Sequence, residues 1–351
     1  MLMIIFDVKT INTTTMKNNI KYISLLIFSC LLLTNSPLLL AKTIKIATIS
    51  PEGTFWMKQM RAGAKKIKDK TNGRVKFKFY PGGVMGNDES VLRKIRVGQL
   101  QGGAVTIGNL AKISPDTTVY GFPLLFSSLQ EAAEIRKTTD PILSAQIEKD
   151  GFVNFGFAQG GFTYLMSKDP ITRAEDLKKH KSWIPENNDV GLAVFRKIGA
   201  TPVTLSMSDV LTGLQTDLID TLISSPIGAL ALQWHTHIQY VTDEPINYLT
   251  ALMIIDKRVF YKLSDADQKI VREVMSEVYQ TIDKQNMTDN MAAREAMINQ
   301  GVKFVALAEG EKARWLDIRK SVINEMNSKY TYNKAFYDAT LVNLPDSLKM
   351  H

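Results

Sequence analysis

The chain has 351 residues, of which 45% are hydrophobic and 22% charged, and its formal net charge at pH 7 is +8. These values exclude a disordered or fibrous protein and predict a large core shared between two domains. The densest basic run, Lys178-Lys179-His180-Lys181, lacks the interleaved aromatic residues typical of nucleic-acid binding. We interpret it as a solvated loop and expect no nucleic-acid partner.

The first 41 residues have the pattern of a cleaved secretion signal. Lys17 and Lys21 precede an apolar run over residues 22–33. That run is shorter than the about 20 apolar residues that a membrane-spanning helix needs. Cleavage after Ala41 would place the mature protein in the periplasm.

Two alternatives at this end of the chain stay open. Met16 lies directly before the charged region, so residues 1–15 are interpreted as the product of a mis-assigned start codon. Cys30, the sole cysteine, is a candidate lipid anchor. With cleavage after Ala41 no cysteine remains, which excludes disulfides, thiolate metal sites and cysteine nucleophiles in the mature chain.

Strand and helix patterns alternate from the start of the mature chain. Residues 43–49 predict a buried strand, 55–70 an amphipathic helix and 75–80 a second strand. This order is typical of an α/β protein with a mostly parallel sheet and helices on its faces.

A weak internal repeat relates two helix–strand junctions that are 119 residues apart, as Gly98 is from Asp217. Each copy predicts a helix that ends at a residue tolerant of left-handed backbone and is followed at once by a strand. A true repeat would imply two similar sheets, and coincidence between two ordinary junctions is the alternative.

A long helix is predicted over residues 264–300. Ser264 and Asp267 have the spacing of a capping box, apolar residues recur every four positions from Ile270 to Ile282, and no glycine or proline occurs before Gly301. At about 1.5 Å per residue, such a helix is longer than one small domain is wide. We therefore expect it to span both domains.

No pattern typical of an active site is present in the sequence. There is no phosphate-binding glycine loop, nucleophile elbow or HExxH motif, and the four histidines lack the spacing of a metal site. We therefore expect no cofactor, no metal and no enzymatic activity.

Polar and aromatic side chains instead follow several predicted strands, at the edge where open α/β sheets bind ligands. This arrangement predicts a ligand-binding crevice, although core packing and helix capping are alternative roles for each residue. The candidate ligand-binding residues are Thr54, Trp56, Asn109, Phe122, Gln159, Thr163, Trp183, Asn187, Ser225 and Trp234.

Several blocks of the mature chain resemble the periplasmic solute-binding subunits of TRAP transporters, of the dicarboxylate-binding-protein type. They include Thr71-Asn72-Gly73-Arg74-Val75, Tyr80-Pro81-Gly82-Gly83, Phe122-Pro123-Leu124-Leu125-Phe126 and Gly199-Ala200-Thr201-Pro202-Val203. The resemblance implies an α/β, two-lobed periplasmic binding protein fold with hinge strands and a long domain-spanning helix. We assign residues 42–165 to lobe I and 166–250 to lobe II, with 251–351 returning to lobe I.

The resemblance also implies that the protein captures a small-molecule ligand by lobe closure and delivers it to TRAP-type membrane permease subunits. A sensory subunit that signals to a membrane kinase and a shuttle for a lipid-like molecule are the alternatives. An enzyme is disfavoured because no base, nucleophile or metal site accompanies the predicted crevice.

Departures from the family pattern bear on the ligand. Where the resemblance implies an arginine that pairs with a ligand carboxylate, the matching stretch Lys181-Ser182-Trp183-Ile184-Pro185 has Trp183. The usual acidic-Asn-Pro triplet is replaced by Ser224-Ser225-Pro226. An indole offers one N–H donor and a large apolar face instead of paired charge-assisted bonds. We expect a neutral, aromatic or amphipathic ligand rather than a simple C4-dicarboxylate, or else an acid held by another Arg or Lys.

Overall fold

The computed structural model describes residues 41–342 and 344. The predicted signal peptide, with Met16 and Cys30, lies outside these residues apart from Ala41. Within the described part of the chain, no helix combines the length and the apolar character needed to cross a bilayer.

The described residues form eleven strands and ten α-helices. The strands are β1 Lys42–Thr48, β2 Val75–Tyr80, β3 Gly102–Thr106, β4 Phe152–Asn154, β5 Ala158–Ser167, β6 Trp183–Pro185, β7 Val203–Leu205, β8 Thr221–Ser224, β9 Tyr240–Thr242, β10 Asn247–Asp256 and β11 Lys303–Val305. The helices are α1 Phe55–Lys70, α2 Asp88–Arg96, α3 Leu129–Lys149, α4 Asp189–Ile198, α5 Val210–Gln215, α6 Pro226–Ala231, α7 Lys257–Phe260, α8 Asp265–Asn299, α9 Glu311–Lys329 and α10 Lys334–Thr340.

Nine of these strands form one mixed sheet. Its main path runs β11-β9-β5-β10-β3-β1-β2, while β4 pairs with β10 and β8 pairs with β5. The pairs of β1 with β2 and β3 are parallel. The long strands β5 and β10 pair antiparallel with each other and with their other neighbours. The predicted α/β class is therefore confirmed. The prediction of a mostly parallel sheet is wrong, because the long strands β5 and β10 run antiparallel to their neighbours.

The first three predicted elements form with almost the predicted bounds. α1 and β2 match residue for residue, and β1 begins one residue early. Further along the chain, a gap separates β4, which ends at Asn154, from β5, which begins at Ala158. Gly156, at φ 105°, lies in the gap, in a backbone conformation that a strand does not use.

The two junctions of the predicted repeat share their local geometry. Helices α2 and α5 each end two residues before a left-handed residue, which is Gly98 at φ 78° in one copy and Asp217 at φ 56° in the other. Strands β3 and β8 each begin four residues after that position. Both strands belong to the same nine-stranded sheet, so the repeat does not produce two separate sheets.

The predicted long helix is confirmed as α8, which has 35 residues. Ser264 Oγ accepts a 3.2 Å hydrogen bond from the Asp267 backbone N–H, as a helix cap does. The Asp267 carboxylate does not complete a capping box; it pairs with Arg74 at 2.8 Å, and this hydrogen bond lowers the pKa of Asp267.

Helix α8 contacts two distant parts of the molecule. Its N-terminal half packs on α1, where Gly63 lies so close to Val278 that a Cβ atom on the glycine would come within 2.6 Å of it. Its C-terminal half contacts β5 and α6, and Met297 packs in the same apolar cluster as Trp183 and Trp234. The wall of the site described next is therefore continuous with a packed core.

Candidate ligand-binding site

A cavity of about 340 Å³ lies where several strands of the fold end. Most of its lining residues lie within the segments 48–51 at the end of β1, 104–109 at the end of β3, 183–195 from β6 into α4, 223–234 from β8 through α6, and 246–251 at the start of β10. Its volume falls in the range typical of small-molecule sites. The position is the edge at which open α/β sheets bind ligands.

Six of the ten predicted ligand-binding residues line this cavity, and four do not. The six are Trp56, Asn109, Thr163, Trp183, Asn187 and Trp234. Two of the other four, Thr54 and Ser225, cap helices: their hydroxyls accept from the backbone N–H of Met57 and of Gly228, each at 3.3 Å. For these two residues the helix-capping alternative describes the observed contacts.

The other two predicted residues lie away from the cavity for different reasons. Phe122 is fully buried in the largest apolar cluster, edge-on to Tyr332. Gln159 lies in β5, and its side-chain Nε2 donates to the backbone carbonyl of Asp283 at 3.1 Å. Neither side chain is placed to contact a ligand in this cavity.

Trp183 forms part of the cavity wall but has only 2% of its surface exposed. Its Nε1 donates a 2.9 Å hydrogen bond to the carbonyl oxygen of Leu205. Its ring meets that of Trp234 edge-on, with 5.4 Å between the ring centroids. The indole therefore offers a ligand an apolar surface, and the N–H donor expected from the sequence is already used.

No side chain in the cavity lining, as far as the structure describes it, carries a positive charge. Among the described lining residues the only acidic one is Asp189, which pairs with Lys329 at 2.7 Å and accepts a short hydrogen bond from the Tyr330 hydroxyl. Burial alone would raise the pKa of Asp189, but these bonds outweigh it and hold the pKa below its usual value. The cavity therefore presents no unpaired charge to a ligand.

A buried carboxylate fixes one polar corner of the cavity. Asp88 Oδ2 accepts from the backbone N–H of Thr106 at 3.0 Å, from its hydroxyl at 3.1 Å and from Asn109 Nδ2 at 2.8 Å. Burial raises the pKa of Asp88, although the three hydrogen bonds act in the opposite direction. Asp88 thus holds the side chains of Thr106 and Asn109 in place.

A set of polar contacts, here called the rim bridge, surrounds the lining residue Asn187. Asn187 Nδ2 donates to Glu89 Oε2 at 3.1 Å, and Asn187 Oδ1 accepts from Lys112 Nζ at 2.6 Å. Next to it, Asn87 Nδ2 donates to Glu186 Oε2 at 2.7 Å. Asn187 has φ 58°, a conformation that asparagine tolerates better than most residues. The loop after β6 is thereby tied to α2 and to the segment after β3.

Two polar residues of β10 were not selected by the sequence analysis. The side-chain oxygens Asn247 Oδ1 and Thr250 Oγ1 are buried and have no hydrogen-bond partner among the described residues. Both residues line the cavity. The available signal was the presence of two polar residues at the start of a strand that is otherwise apolar through Ile255.

The pairing of β10 with β5 contains a bulge beside these residues. Leu249 pairs with Gly161 and Thr250 pairs with Gln159, so Gly160 is an extra residue in β5. Gly161 has φ 83°, which glycine adopts without strain. We call residues 159–161 the β5 bulge.

Helix α8 holds the β5 bulge through three polar side chains on one of its faces. Asp283 Oδ1 accepts from the Gln159 backbone N–H at 2.7 Å. Asn286 Nδ2 donates to the Gln159 carbonyl at 2.6 Å, and Asn290 Nδ2 donates to the Gly160 carbonyl at 2.9 Å. These bonds satisfy backbone groups that the bulge removes from the sheet ladder.

Residues 46–329 match the model of the bacterial extracellular solute-binding protein family 7, DctP. This chain belongs to that family. Its described residues contain no cluster of His, Cys, Asp and Glu suited to a metal ion.

Relatives and solved structures of this family are similar over most of the chain. The C4-dicarboxylate-binding periplasmic protein DctP of Rhodobacter capsulatus is 24% identical over 262 residues, 73% of this chain and 78% of its own length. The 2,3-diketo-L-gulonate-binding periplasmic protein YiaO of Escherichia coli is 26% identical over 246 residues, 68% of this chain and 73% of its own length. YiiZ of Salmonella typhimurium is 25% identical over 59% of this chain, and the match spans 64% of that protein's length.

A TRAP periplasmic solute-binding protein of Shewanella oneidensis, solved with bound succinate, has the same fold. Its TM-score is 0.79 at 18% identity, over 86% of this chain and 99% of that one. The two-lobed architecture expected from the sequence is therefore confirmed. The ends of lobe II assigned from the sequence fall within β5 and β10, and those boundaries stay a prediction.

Proposed function

We propose that this chain is the solute receptor of a TRAP-type uptake system, which captures one small ligand in the cavity and presents it to membrane permease subunits. Family membership and the position of the cavity support a receptor. The rim bridge is consistent with capture by closure, because its contacts join the loop after β6 to α2 and to the segment after β3 beside the lining residue Asn187. Ligand binding would then favour the closed form through contacts made only there.

The ligand proposed for this receptor is neutral, with an aromatic or other apolar part. The cation-free lining is the observation that carries this proposal. A carboxylate buried without a cationic partner would cost several kcal/mol. Trp183 adds an apolar surface where the family resemblance implies an arginine, and its N–H is bonded to Leu205. The ligand proposed for this chain therefore differs in charge from the acids for which its relatives are named.

The size of the cavity favours a compact ligand over a long acyl chain. Its volume of about 340 Å³ is roughly twice that of an engineered 150 Å³ cavity that accommodates benzene. One or two rings with a polar substituent match this space, which argues against the lipid-shuttle alternative. A sensory subunit would use the same cavity, so uptake of radiolabelled ligand with and without the permease genes distinguishes it from a transport receptor.

The charge preference can be tested with ligand pairs that differ mainly in a carboxylate. Isothermal titration would compare D-glucuronate with D-glucose, succinate with succinamide, and indole-3-acetate with tryptophol. We expect the neutral member of at least one pair to bind more tightly to the wild type. Micromolar binding of succinate, with no gain in the Trp183→Arg variant, would overturn the proposal. Native mass spectrometry of the purified protein would identify any co-purified ligand by its mass.

An acid held by Lys112 is the second candidate. Lys112 follows the lining residue Ala111, and its Nζ reaches Asn187 at the cavity edge. If an acid binds the wild type, a Lys112→Met variant should lose that binding while keeping its fold. Unchanged acid binding in this variant would exclude the second candidate.

A further inference from the structure

We propose that Asp88 sets the hydrogen-bonding selectivity of the cavity: it holds the Asn109 amide with the oxygen free, so that the site selects a neutral ligand with an N–H or O–H donor. The inference rests on the proposed receptor function and adds to it the chemical group that is recognised. Asp88 acts through Asn109 and is therefore a positioning residue.

Asp88 is a buried carboxylate whose partners are hydrogen-bond donors rather than a cation. It begins α2, only 5% of its surface is exposed, and its Oδ2 binds Thr106 at the end of β3 and Asn109 in the turn that follows. Aspartate is seldom buried unless it is paired, because burial of an uncompensated carboxylate is costly. The position of Asp88 therefore points to a function for the groups that it binds.

The direction of these hydrogen bonds follows from groups that have a single role. The Thr106 backbone N–H can only donate, so Asp88 Oδ2 is an acceptor. The Thr106 hydroxyl donates its one proton to the same oxygen and therefore accepts from Asn109 Nδ2, at 2.6 Å. An Asn109 amide turned the other way would place its oxygen against the carboxylate and lose both of its bonds. Asp88 thus permits one of the two amide orientations.

The free side of this amide is its oxygen. Asn109 lines the cavity and is partly exposed. Its Oδ1 receives no hydrogen bond in the part of the chain described, and it is not one of the sealed oxygens without a partner. Because Nδ2 faces Asp88 and Thr106, Oδ1 is the polar atom of this side chain that a ligand can reach. An amide oxygen only accepts, so the ligand has to supply the proton.

Other polar side chains of the wall have partners within the protein. Asn187 belongs to the rim bridge, and the Ser224 hydroxyl donates to the Ser225 carbonyl at 3.1 Å. The Tyr248 hydroxyl accepts from Arg136 Nη1 at 2.9 Å. A ligand that used these groups would have to compete with bonds that stabilise the fold.

Asn188 offers the opposite hydrogen-bonding role. Its Oδ1 accepts from the Gly191 backbone N–H at 2.9 Å, and its Nδ2 donates to no residue that the structure describes. Asn188 also lines the cavity, so its amide group is a donor for a ligand oxygen. A carboxamide or a hydroxyl carries both the donor that Asn109 requires and an acceptor that Asn188 can use.

Charged ligand groups fit this arrangement less well. A carboxylate has only acceptors, so at Asn109 it would place two acceptors against each other without a cation. An ammonium can donate to Asn109 but needs a counter-charge, and the carboxylate that lines the cavity, Asp189, is paired with Lys329. The donor selected by Asn109 is therefore a neutral one.

The test uses three compounds of nearly equal shape: phenylacetamide, phenylacetone and phenylacetate. They share a benzyl group and a carbonyl oxygen, and they differ in bearing an NH2 donor, a methyl group or a negative oxygen. Isothermal titration would measure their affinities for the wild type. We expect phenylacetamide to bind about fivefold more tightly than phenylacetone, the size of one net hydrogen bond, and phenylacetate to bind most weakly.

Two substitutions of Asp88 separate positioning from charge. In Asp88→Asn the amide oxygen can replace Oδ2 as the acceptor, and the nitrogen takes the place of Oδ1, which has no partner among the described residues. This variant should keep the preference for phenylacetamide. In Asp88→Ala the Asn109 amide is free to turn and to donate to phenylacetone, so the preference should disappear. Both variants lack the charge, so equal effects in the two would overturn the positioning role.

Two further variants keep the test independent of folding defects. Asn109→Ala removes the acceptor from a partly exposed position without changing Asp88, and it should also abolish the preference. Asp116→Ala is the matched control, since Asp116 is a buried carboxylate outside the lining that accepts from the Asn333 backbone N–H at 2.8 Å. It should lower the melting temperature and leave the preference unchanged.

A measurement without ligand checks the orientation of the amide. In the wild type, the Asn109 side-chain N–H signals in an NMR spectrum should exchange slowly with solvent, because Nδ2 donates to Asp88 and Thr106. Their absence in Asn109→Ala would identify them. Slow exchange should persist in Asp88→Asn and be lost in Asp88→Ala. Rapid exchange in the wild type would overturn the inference.

The affinity outcomes separate the inference from the receptor proposal. Equal wild-type affinities for phenylacetamide and phenylacetone, both above that for phenylacetate, would overturn the donor selectivity but leave a receptor for neutral ligands. Preference of the wild type for phenylacetate would overturn both. Binding of none of the three at millimolar concentration would also overturn the selectivity, because the acceptor of Asn109 is already formed.

Discussion

The side chain of Asn187, which lines the cavity, donates a 3.1 Å hydrogen bond to the carboxylate of Glu89. The two residues come from separate segments, the loop after β6 and the first turn of α2. Because the same asparagine also accepts from Lys112, one amide joins three segments of the chain. The proposed closure of the cavity would therefore involve a residue whose amide is already bonded within the protein.

Replacing Asn187 by glycine should weaken closure without straining the backbone. Glycine adopts the left-handed conformation of this position freely, so the variant removes only the side-chain bonds. Exposed polar contacts contribute about 0.2–1 kcal/mol, so we expect ligand affinity to fall by up to about fivefold. Small-angle X-ray scattering of the unliganded variant should show a larger radius of gyration. Lys137→Ala, which removes an exposed ion pair with Glu134, should change neither quantity.

Replacing Trp183 by phenylalanine should destabilise the fold more than the same change at Trp315. Both indoles are buried, but Trp183 Nε1 bonds to Leu205 whereas Trp315 Nε1 has no partner among the described residues. The difference in unfolding free energy between the two variants measures the loss of the Trp183 hydrogen bond, which leaves the Leu205 carbonyl without its donor. We expect this difference to be about 1–2 kcal/mol. Urea unfolding would measure both, and equal losses would contradict the role given to the Trp183 N–H.

Replacing Asp88 by asparagine should change how stability depends on pH. The pKa of Asp88 is raised in the folded protein, so the folded state holds this proton more tightly than the unfolded state. Stability from this group is present at low pH and is lost as the pH rises above the unfolded value and through the folded pKa. The free energy of unfolding of Asp88→Asn, relative to wild type, should therefore increase between about pH 3.5 and pH 7. A flat difference across this interval would contradict the shift.

Replacing Gly161 by alanine should disturb the β5 bulge. A Cβ atom there would come within 2.6 Å of Asn290 Nδ2, at a backbone φ of 83°. We expect a loss of about 1–3 kcal/mol of unfolding free energy, together with faster amide exchange in β5. Gly108→Ala is the control, since no atom lies within 4 Å of its added Cβ, and it should be nearly neutral. Similar losses in both variants would count against a special role for the bulge.

Local patterns predicted most of the elements, and long-range pairing decided the rest. The bounds of α1, β2 and α8 follow from caps and periodicity that lie within a few residues. The antiparallel course of β5 and β10 does not, because strand direction depends on contacts between residues that are far apart in sequence. Asp267 illustrates the same limit: its spacing predicts a capping box, but the distant Arg74 captures its carboxylate.

Prediction of the candidate site was limited in the same way. Six of the ten residues selected beside predicted strands line the cavity, and their contact with a ligand stays a prediction. Sequence alone does not separate Asn109, which lines it, from Thr54 and Ser225, which cap helices, because each is a polar residue beside a strand–helix junction. Asn247 and Thr250 were not selected because each is a single polar residue in a strand that is otherwise mostly apolar.

The course of α8 bears on how the protein comes apart. This single helix packs on α1 near its start and binds the β5 bulge near its end. Loss of either contact would also destabilise the rest of this helix. We therefore expect the amide protons of α1 and of the β5 bulge to exchange as one cooperative unit rather than as two.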